Sequence, residues 1–484
     1  MSSNSNTVSS ELAGARVLIM GLGAHGGGAA SARFCAEAGA DVTVTDLRTE
    51  EELAGGIASL SGLPIRYVLG RHEESDFRAA DIVVKNPAVR RSVPLLRLAR
   101  RIETDISLFL ADHAGPVFAI TGTKGKSTTA SALHHILLED HPAARLGGNI
   151  TVSPLTFAAD LTGSEPVVLE LSSFQLGDLL LTPAGRARRL PGFAVSAVTN
   201  LMRDHQDYYG SMEPYAADKA VIFRDQGPRS WCLLSDEDEW TRAFEPPHPE
   251  HVIRFPRRLS AGRSSARSPD VAGRNEAAFE AGEGVLVLPA DGVRAPLVPR
   301  RTRLGGEHMR TNLLFAGVAA YVFGVSPEVV RRRSAEFTGV AHRLEPVATI
   351  DGVAFVNDSA ATIAEATAAA LSSLPQPVHL IAGGSDKGVP IDAFTDIARA
   401  ARSVHLLAGT ATERIINMLE GHGLPYAGPY ASLESALDAA VRDARAGEVV
   451  LLSPGCASFG MFLNEFDRGE QFRSLVQSRA SMIE

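Results

Sequence analysis

Short β-branched apolar runs recur along the chain. Each is followed by glycine or small polar residues and then by a stretch with helical spacing. In the first hundred residues the runs Arg16–Met20, Val42–Thr45, Arg66–Leu69 and Asp81–Val84 predict four strands. Their alternation with helical segments predicts a small parallel sheet with helices on its faces. A second series comprises Pro116–Ile120, Val167–Leu169 and Ala194–Val198, the first running into a glycine-rich turn and a long helix. From about Val340 the alternation resumes with Val353–Val356, Val378–Ala382, Val404–Leu407 and Val449–Leu452. These last strands end in Asn357-Asp358-Ser359, Gly383-Gly384, Gly409-Thr410 and Ser453-Pro454-Gly455. The carboxyl ends of parallel strands face the ligand crevice, so those tips are natural site positions. The expected fold is α/β with three domains, spanning 1–112, 113–339 and 340–484. Rossmann-like parallel sheets at both ends flank a central domain built around a phosphate-binding loop.

A length of 484 residues suits three domains at about 150 residues each. The longest uncharged apolar stretch, Leu313–Val325, is too short to span a bilayer and is read as a core helix. The opening MSSNSNTVSS has neither the basic nor the apolar region of a secretion signal. Cys35, Cys232 and Cys456 show no paired spacing, which suits a reducing cytosol. The formal charge of −9 argues against a nonspecific grip on nucleic acid or an acidic membrane. A cytoplasmic monomer with no nucleic-acid or membrane partner is expected. The Arg-, Ser- and Gly-rich segment between Phe255 and Asn275 reads as a solvated insertion.

The most specific chemical signal is Gly122-Thr123-Lys124-Gly125-Lys126-Ser127-Thr128, set between a strand and a helix. Such a loop turns successive backbone N–H groups inward on a triphosphate, and the helix N-terminus adds its positive end. Lys126 would reach the β- and γ-phosphates and the Ser127 hydroxyl would ligate Mg²⁺. The loop is shorter than the usual G-x-x-x-x-G-K-[ST]. Gly21, Gly23 and Gly26 follow the first strand, with Asp46 twenty residues after Gly26. This pattern fits a dinucleotide and equally the pyrophosphate of another nucleotide, because it reads phosphate through backbone N–H groups. Glu170 ends an apolar run, where a carboxylate beside a phosphate loop can ligate Mg²⁺. Asn200, Asp204, His205 and Lys219 follow the next strand; on their own they read as ordinary polar residues.

Taken together, TGTKGKST, VLELSSFQL, RDHQDYYG with its downstream DK, LGGEH with Asn312, FTGVAHR, VNDS and LSPGCAS resemble the Mur ligase family, specifically its muramoyl-alanine:glutamate ligases. The resemblance runs from Gly21 to about Phe472. It implies ATP-dependent joining of glutamate to UDP-N-acetylmuramoyl-L-alanine through an acyl phosphate, in the synthesis of peptidoglycan precursors. It implies that Gly122–Thr128 hold the ATP phosphates, and that Ser127, Glu170, His205 and a carbamate-bearing Lys219 surround Mg²⁺. Lys126, Glu170, His205 and Lys219 are then the catalytic set. Asn312, His342, Arg343 and Asp358 would contact the nucleotide. Gly21, Gly23, Gly26, Asp46, Arg48 and Asn86 would face the UDP. Asn149, Ser172 and Gln175 would hold the muramoyl-alanine end, and Thr362, Lys387 and Ser458 the incoming amino acid. These sites fall on different domains, so closure around the substrates is expected.

The chain departs from the family mainly near the amino-acid subsite. Ala360 stands where a lysine is usual, Glu465 where many relatives carry phenylalanine, and Met309 replaces an asparagine near the adenine. An altered amino-acid pocket beside an intact ATP motif leaves both D- and L-glutamate open. Two rivals share single motifs. A nicotinamide oxidoreductase would use Gly21–Gly26 and leave the phosphate loop idle. A folylpolyglutamate synthase would share that loop but lacks an N-terminal domain of this kind.

Overall fold

The computed structural model describes residues 8–23, 27–150, 152–181, 192–256, 274–304, 306–374, 376–386, 391–458 and 460–481. Gly26, Lys387 and most of the Arg/Ser-rich segment lie outside the described residues. The chain divides into two compact units, Met1–Phe337 and Thr338–Glu484. The first unit carries two sheets and the second carries one.

The N-terminal sheet contains β1 (Arg16–Met20), β2 (Asp41–Asp46), β3 (Ile65–Leu69), β4 (Ile82–Lys85) and β5 (Ile102–Glu103), in the order β3-β2-β1-β4-β5. All its pairings are parallel. Val17, Ile19, Val42 and Val44 face one side, where helix Gly27–Glu37 packs; Leu18, Met20 and Val83 face Phe77 and Leu96 on the other. Burial on both faces explains why β1 and β4 are almost wholly apolar, whereas β2, DVTVTD, alternates.

The central sheet has nine strands: β6 (Val117–Thr121), β7 (Arg145–Gly148), β8 (Val167–Glu170), β9 (Val195–Val198), β10 (Trp231–Ser235), β11 (Val252–Phe255), β12 (Glu276–Glu280), β13 (Glu283–Leu288) and β14 (Val293–Val298). Their order is β14-β13-β12-β11-β10-β9-β6-β8-β7. Helices Lys126–Leu137 and Glu307–Phe323 pack together on one face, burying Leu133, Ile136, Leu313 and Ala316 against Phe118, Ile120 and Val168. The apolar stretch expected to be a core helix is the buried part of Glu307–Phe323, which Gly324 ends. The expectation of parallel strands stops at the sheet edge, where β12, β13 and β14 run antiparallel. Ala281 and Gly282, both at positive φ (45° and 85°), close a two-residue hairpin whose twist matches its strands.

The C-terminal sheet comprises β15 (Glu345–Ile350), β16 (Val353–Asn357), β17 (Val378–Ala382), β18 (Ser403–Leu407), β19 (Ala427–Tyr430) and β20 (Val449–Leu452). The order is β15-β16-β20-β17-β18-β19, with only β15 antiparallel among the described pairings. Asp351-Gly352 makes its hairpin, again with both residues at positive φ. No helix among the described residues is long and apolar enough to cross a membrane.

Candidate functional site

The register of the central sheet sets out the phosphate loop's neighbours. β6 lies between β8 and β9, pairing Ile120 with Glu170 and Thr121 with Val198. The loop after Thr121 therefore has Glu170 on one flank and Thr199-Asn200 on the other. Asn200 fastens it twice, accepting from Lys124 N at 2.9 Å and donating to Lys124 O at 3.0 Å. The Thr199 hydroxyl donates to the same carbonyl at 2.6 Å. Gly125 caps helix Lys126–Leu137 at φ 85°, and a Cβ there would run into the Asn312 side chain. Asn312 thus packs against the loop. Ser127 and Thr128 occupy the helix's first turn, and Lys126 Nζ donates to Thr123 O at 2.9 Å.

Glu170 is 1% exposed. Its Oε1 accepts from Asn149 Nδ2 at 2.8 Å, while its buried Oε2 has no hydrogen-bond partner among the described residues. An orphaned carboxylate oxygen inside a protein is costly and calls for a cation or a donor. Lys219, on helix Met212–Arg224, is equally buried. Its Nζ donates to Thr121 Oγ1 at 3.1 Å and Gly122 O at 2.9 Å, so it sits directly beneath the loop. Burial pushes this amine down to about 7, and the Lys126 cation adds to the effect against Asp204, Glu170 and Asp218. A buried lysine brought to that point loses its proton readily and becomes a nucleophile.

His205 is exposed and has φ 51°, a left-handed conformation uncommon for a side-chain-bearing residue. Its ring lies against Phe174, with centroids 4.9 Å apart, and Asp204 is its nearest carboxylate at 3.9 Å. Lys126, Glu170 and Lys219 are thus within electrostatic reach of one another, while His205 stands at the rim. Among the described residues no three His, Cys, Asp or Glu side chains converge as a ready-made metal cage. Ser172 caps helix Ser173–Asp178 in a reciprocal box with Gln175, whose Oε1 accepts from Ser172 N at 3.0 Å. That box aligns the Gln175 side chain while consuming its carbonyl end.

At the N-terminal sheet, buried Asp46 accepts from Leu22 N at 3.0 Å and from Arg48 through both backbone and guanidinium. Burial opposes its charge, but the Arg48 hydrogen bonds outweigh it and hold the carboxyl below its usual range. Asn86 sits against both Gly21 and Gly23, and its Oδ1 accepts from Ala88 N at 3.0 Å. Sequence reasoning missed Gly28. A Cβ there would collide with the Gly21 and Leu22 backbone, so this residue lets the helix approach the loop. The run Gly26-Gly27-Gly28 held the signal, but the fingerprint spacing favoured its first member.

A buried ionic clasp also escaped the sequence reading. Lys85, at the end of β4, lies 2.5 Å from Asp178 of helix Ser173–Asp178, and each side chain is 1% exposed. Arg91 bridges onward, donating to Gly177 O at 3.2 Å and pairing with Asp218. Tyr209 OH donates to Asp218 at 2.9 Å. The residues come from the end of a strand, a loop and three helices distant in sequence, so no local pattern marks them.

In the second unit the tips of β16, β20 and β17 come together in that order. Gly455 N donates to Ala361 O at 2.9 Å, and Ser385 and Ala457 form a bridge. Burial pushes Asp358 up to about 6, although it accepts from Ser453 Oγ at 2.7 Å and Leu344 N at 3.1 Å. His342, at φ 61°, is buried with Nδ1 3.0 Å from Asn357 Nδ2, whereas Arg343 is exposed. Thr362 is half-buried; Ser458 is 3% exposed, and its Oγ has no hydrogen-bond partner among the described residues.

Three family models match the chain: "Mur ligase MurD-like, N-terminal domain" over residues 15–107, "Mur ligase middle domain" over 120–320 and "Mur ligase, glutamate ligase domain" over 342–456. A protein of Roseiflexus sp. named UDP-N-acetylmuramoylalanine--D-glutamate ligase is 42% identical, over 97% of this chain and 99% of its own. A Treponema pallidum protein of the same name is 38% identical over 96% and 98%. Among solved structures, the UDP-N-acetylmuramate-alanine ligase of Thermotoga maritima aligns over 96% of this chain and 100% of its own. Its TM-score is 0.52 at 19% identity, a likeness of fold.

Proposed function

The chain belongs to the Mur ligase family, and from that premise we propose that it joins D-glutamate to UDP-N-acetylmuramoyl-L-alanine, consuming ATP and releasing ADP and phosphate. The observation that carries the reading is the grouping of Lys126, Glu170 and Lys219 around one phosphate loop. The printed names of the Roseiflexus and Treponema relatives support the D isomer over the L isomer. An oxidoreductase would give that grouping no task.

A carboxylate is a poor acceptor for an amine because oxide would have to leave. Transfer of the γ-phosphoryl group turns it into an acyl phosphate. The glutamate amine then attacks the acyl carbon, forming the C–N bond as the C–O bond to phosphate breaks and an amine proton is lost. Backbone N–H groups of Gly122–Gly125 and the start of helix Lys126–Leu137 would receive the phosphates, with Lys126 countering charge on the transferred group. Asp46, Arg48, Asn86, Gly21 and Gly23 would hold the UDP; Asn149 and Gln175 would orient the muramoyl-alanine carboxylate. Asn312, His342, Arg343 and Asp358 would serve the nucleotide, and Thr362 and Ser458 the amino acid.

The donors fit Mg²⁺. Glu170 Oε2 is buried without a partner, and the Lys219 amine can add CO₂ with loss of a proton, replacing a cation by a carboxylate. Ser127, Glu170, His205 and the carbamylated Lys219 would hold the metal, which neutralises charge accumulating on the phosphates. The domain limits 1–112, 113–339 and 340–484, and a cytoplasmic location, belong to the same proposal. The test is ADP release by the purified protein with UDP-N-acetylmuramoyl-L-alanine and Mg-ATP. Turnover with D- but not L-glutamate is expected. L-specific turnover would overturn the isomer, and turnover with neither would overturn the amino-acid assignment.

A further inference from the structure

Arg468, on helix Glu465–Ser481, is the largest fully buried side chain among the described residues, at 0% exposure. Nearly every buried charge in a protein is paired with an opposite one. This one is not: among the described residues no carboxylate lies within ion-pair distance of its guanidinium. Its hydrogen bonds go instead to two loops. Nε donates to Ser359 Oγ at 2.9 Å, one terminal nitrogen to Ser359 O at 2.9 Å, and the other to Cys456 O at 3.3 Å. The Phe462 ring lies 6.0 Å away. Burial draws the guanidinium down to about 10, which still leaves it charged at neutral pH.

Both loops are those to which the proposed function assigns the amino-acid contacts. Segment 358–362 ends on Thr362 and segment 456–458 ends on Ser458, and neither contains a basic residue. Ala360 contributes no charge. Ser458 Oγ is buried and has no hydrogen-bond partner among the described residues, which leaves a donor for an acceptor that enters this pocket. A fixed cation behind two loops that has no direct ion pair, with Glu465 acting on it only through space, together with a vacant donor, makes a place where an anionic group is favoured. In a low-dielectric interior that preference reaches beyond direct contact.

Building on the ligase reading above, we infer that Arg468 is a positioning and specificity residue. It locks the Ser359 and Cys456 loops in register and supplies the positive potential by which the enzyme prefers a dicarboxylic amino acid over its neutral amide. It does not itself touch the reacting atoms.

The test compares D-glutamate with D-glutamine in wild type, Arg468→Gln and Arg468→Lys. Arg468→Gln raises the KM for glutamate by about tenfold, equivalent to about 1.4 kcal/mol. The KM values for glutamine, ATP and the UDP substrate hold within about twofold, as a charge-specific effect requires. Arg468→Lys keeps the charge but loses the fork, so it retains the glutamate preference even where its melting temperature falls. Equal losses for both amino acids would mean a purely structural arginine and would overturn the inference, as would an unchanged glutamate KM. Should Arg468→Gln fail to fold, Arg468→Lys decides: a collapsed glutamate-to-glutamine ratio overturns the inference and a preserved one supports it. Calorimetric binding of the two amino acids reads the same ratio without turnover. A protein that binds glutamate in the charge-dependent manner yet does not ligate it would refute the ligase reading alone.

Discussion

Two lysines of the first unit are buried almost equally, yet their surroundings assign them opposite tasks. Lys85 is 1% exposed and meets the Asp178 carboxylate at 2.5 Å. Lys219 is 2% exposed; among the described residues its amine donates to a hydroxyl and a carbonyl and lies 5.0 Å from the Tyr215 ring, and after burial the Lys126 cation does most to lower its proton affinity. Burial lowers the proton affinity of both. For Lys85 the adjacent Asp178 and its neighbour Arg91 make an ionic clasp between the N-terminal sheet and the helix bearing Gln175. For Lys219 no carboxylate among the described residues is hydrogen-bonded to the amine, and Asp204, Glu170 and Asp218 act on it only through space, less than burial does, so the amine is released for chemistry. Burial alone does not make a reactive lysine; burial without a bonded carboxylate does.

The comparison is open to breakage. Lys219→Ala is expected to cut turnover on the order of 10³-fold, as loss of a preorganised charge clamp does, with the fold intact. Small carboxylates added to the assay restore part of it; full activity without them would remove Lys219 from the metal site. Lys85→Met should act on the other axis, lowering stability by about 3 kcal/mol in urea melts because it strands a buried carboxylate. Its turnover per folded molecule stays within a few-fold, and a catalytic loss as deep as that of Lys219→Ala would erase the distinction between the two lysines. Glu170→Gln keeps the shape of the orphaned carboxylate but not its charge, with an expected loss in turnover on the order of 10²-fold. A shift in UDP-substrate KM alone would move Glu170 out of the phosphate site.

The smallest effect is on stability against pH. Lys219 is depressed to about 7, below the 10.5 of an ordinary lysine. Between those values the unfolded chain binds the extra proton, so stability from this group rises with pH and is lost as pH falls through the folded value. The stability of wild type relative to Lys219→Met, measured without nucleotide or bicarbonate, should therefore improve from pH 7 to 9. A flat difference would mean the amine keeps its proton.

Much of the architecture was legible because it rests on local rules. Buried parallel strands must be apolar, strand tips must end in small polar residues, and a phosphate loop must hold glycines where the backbone turns. Hence the strand β6, its loop and helix Lys126–Leu137 were recoverable from residues 116–137. The antiparallel hairpin at Asp351-Gly352 was equally legible, since Asp-Gly is a hairpin signal, but the βα rhythm drew attention away from it. Residue order and motif identity, by themselves, determined the fold class, the phosphate chemistry and the families of residues that could serve it. Only the tertiary structure decided which partners each buried charge meets: Asp178 for Lys85, bare oxygens for Lys219, two loops for Arg468. The physical reason is range. Backbone turns and apolar periodicity act over a few residues, whereas the fate of a buried charge depends on groups as far apart in sequence as Lys85 and Asp178, brought together only by folding.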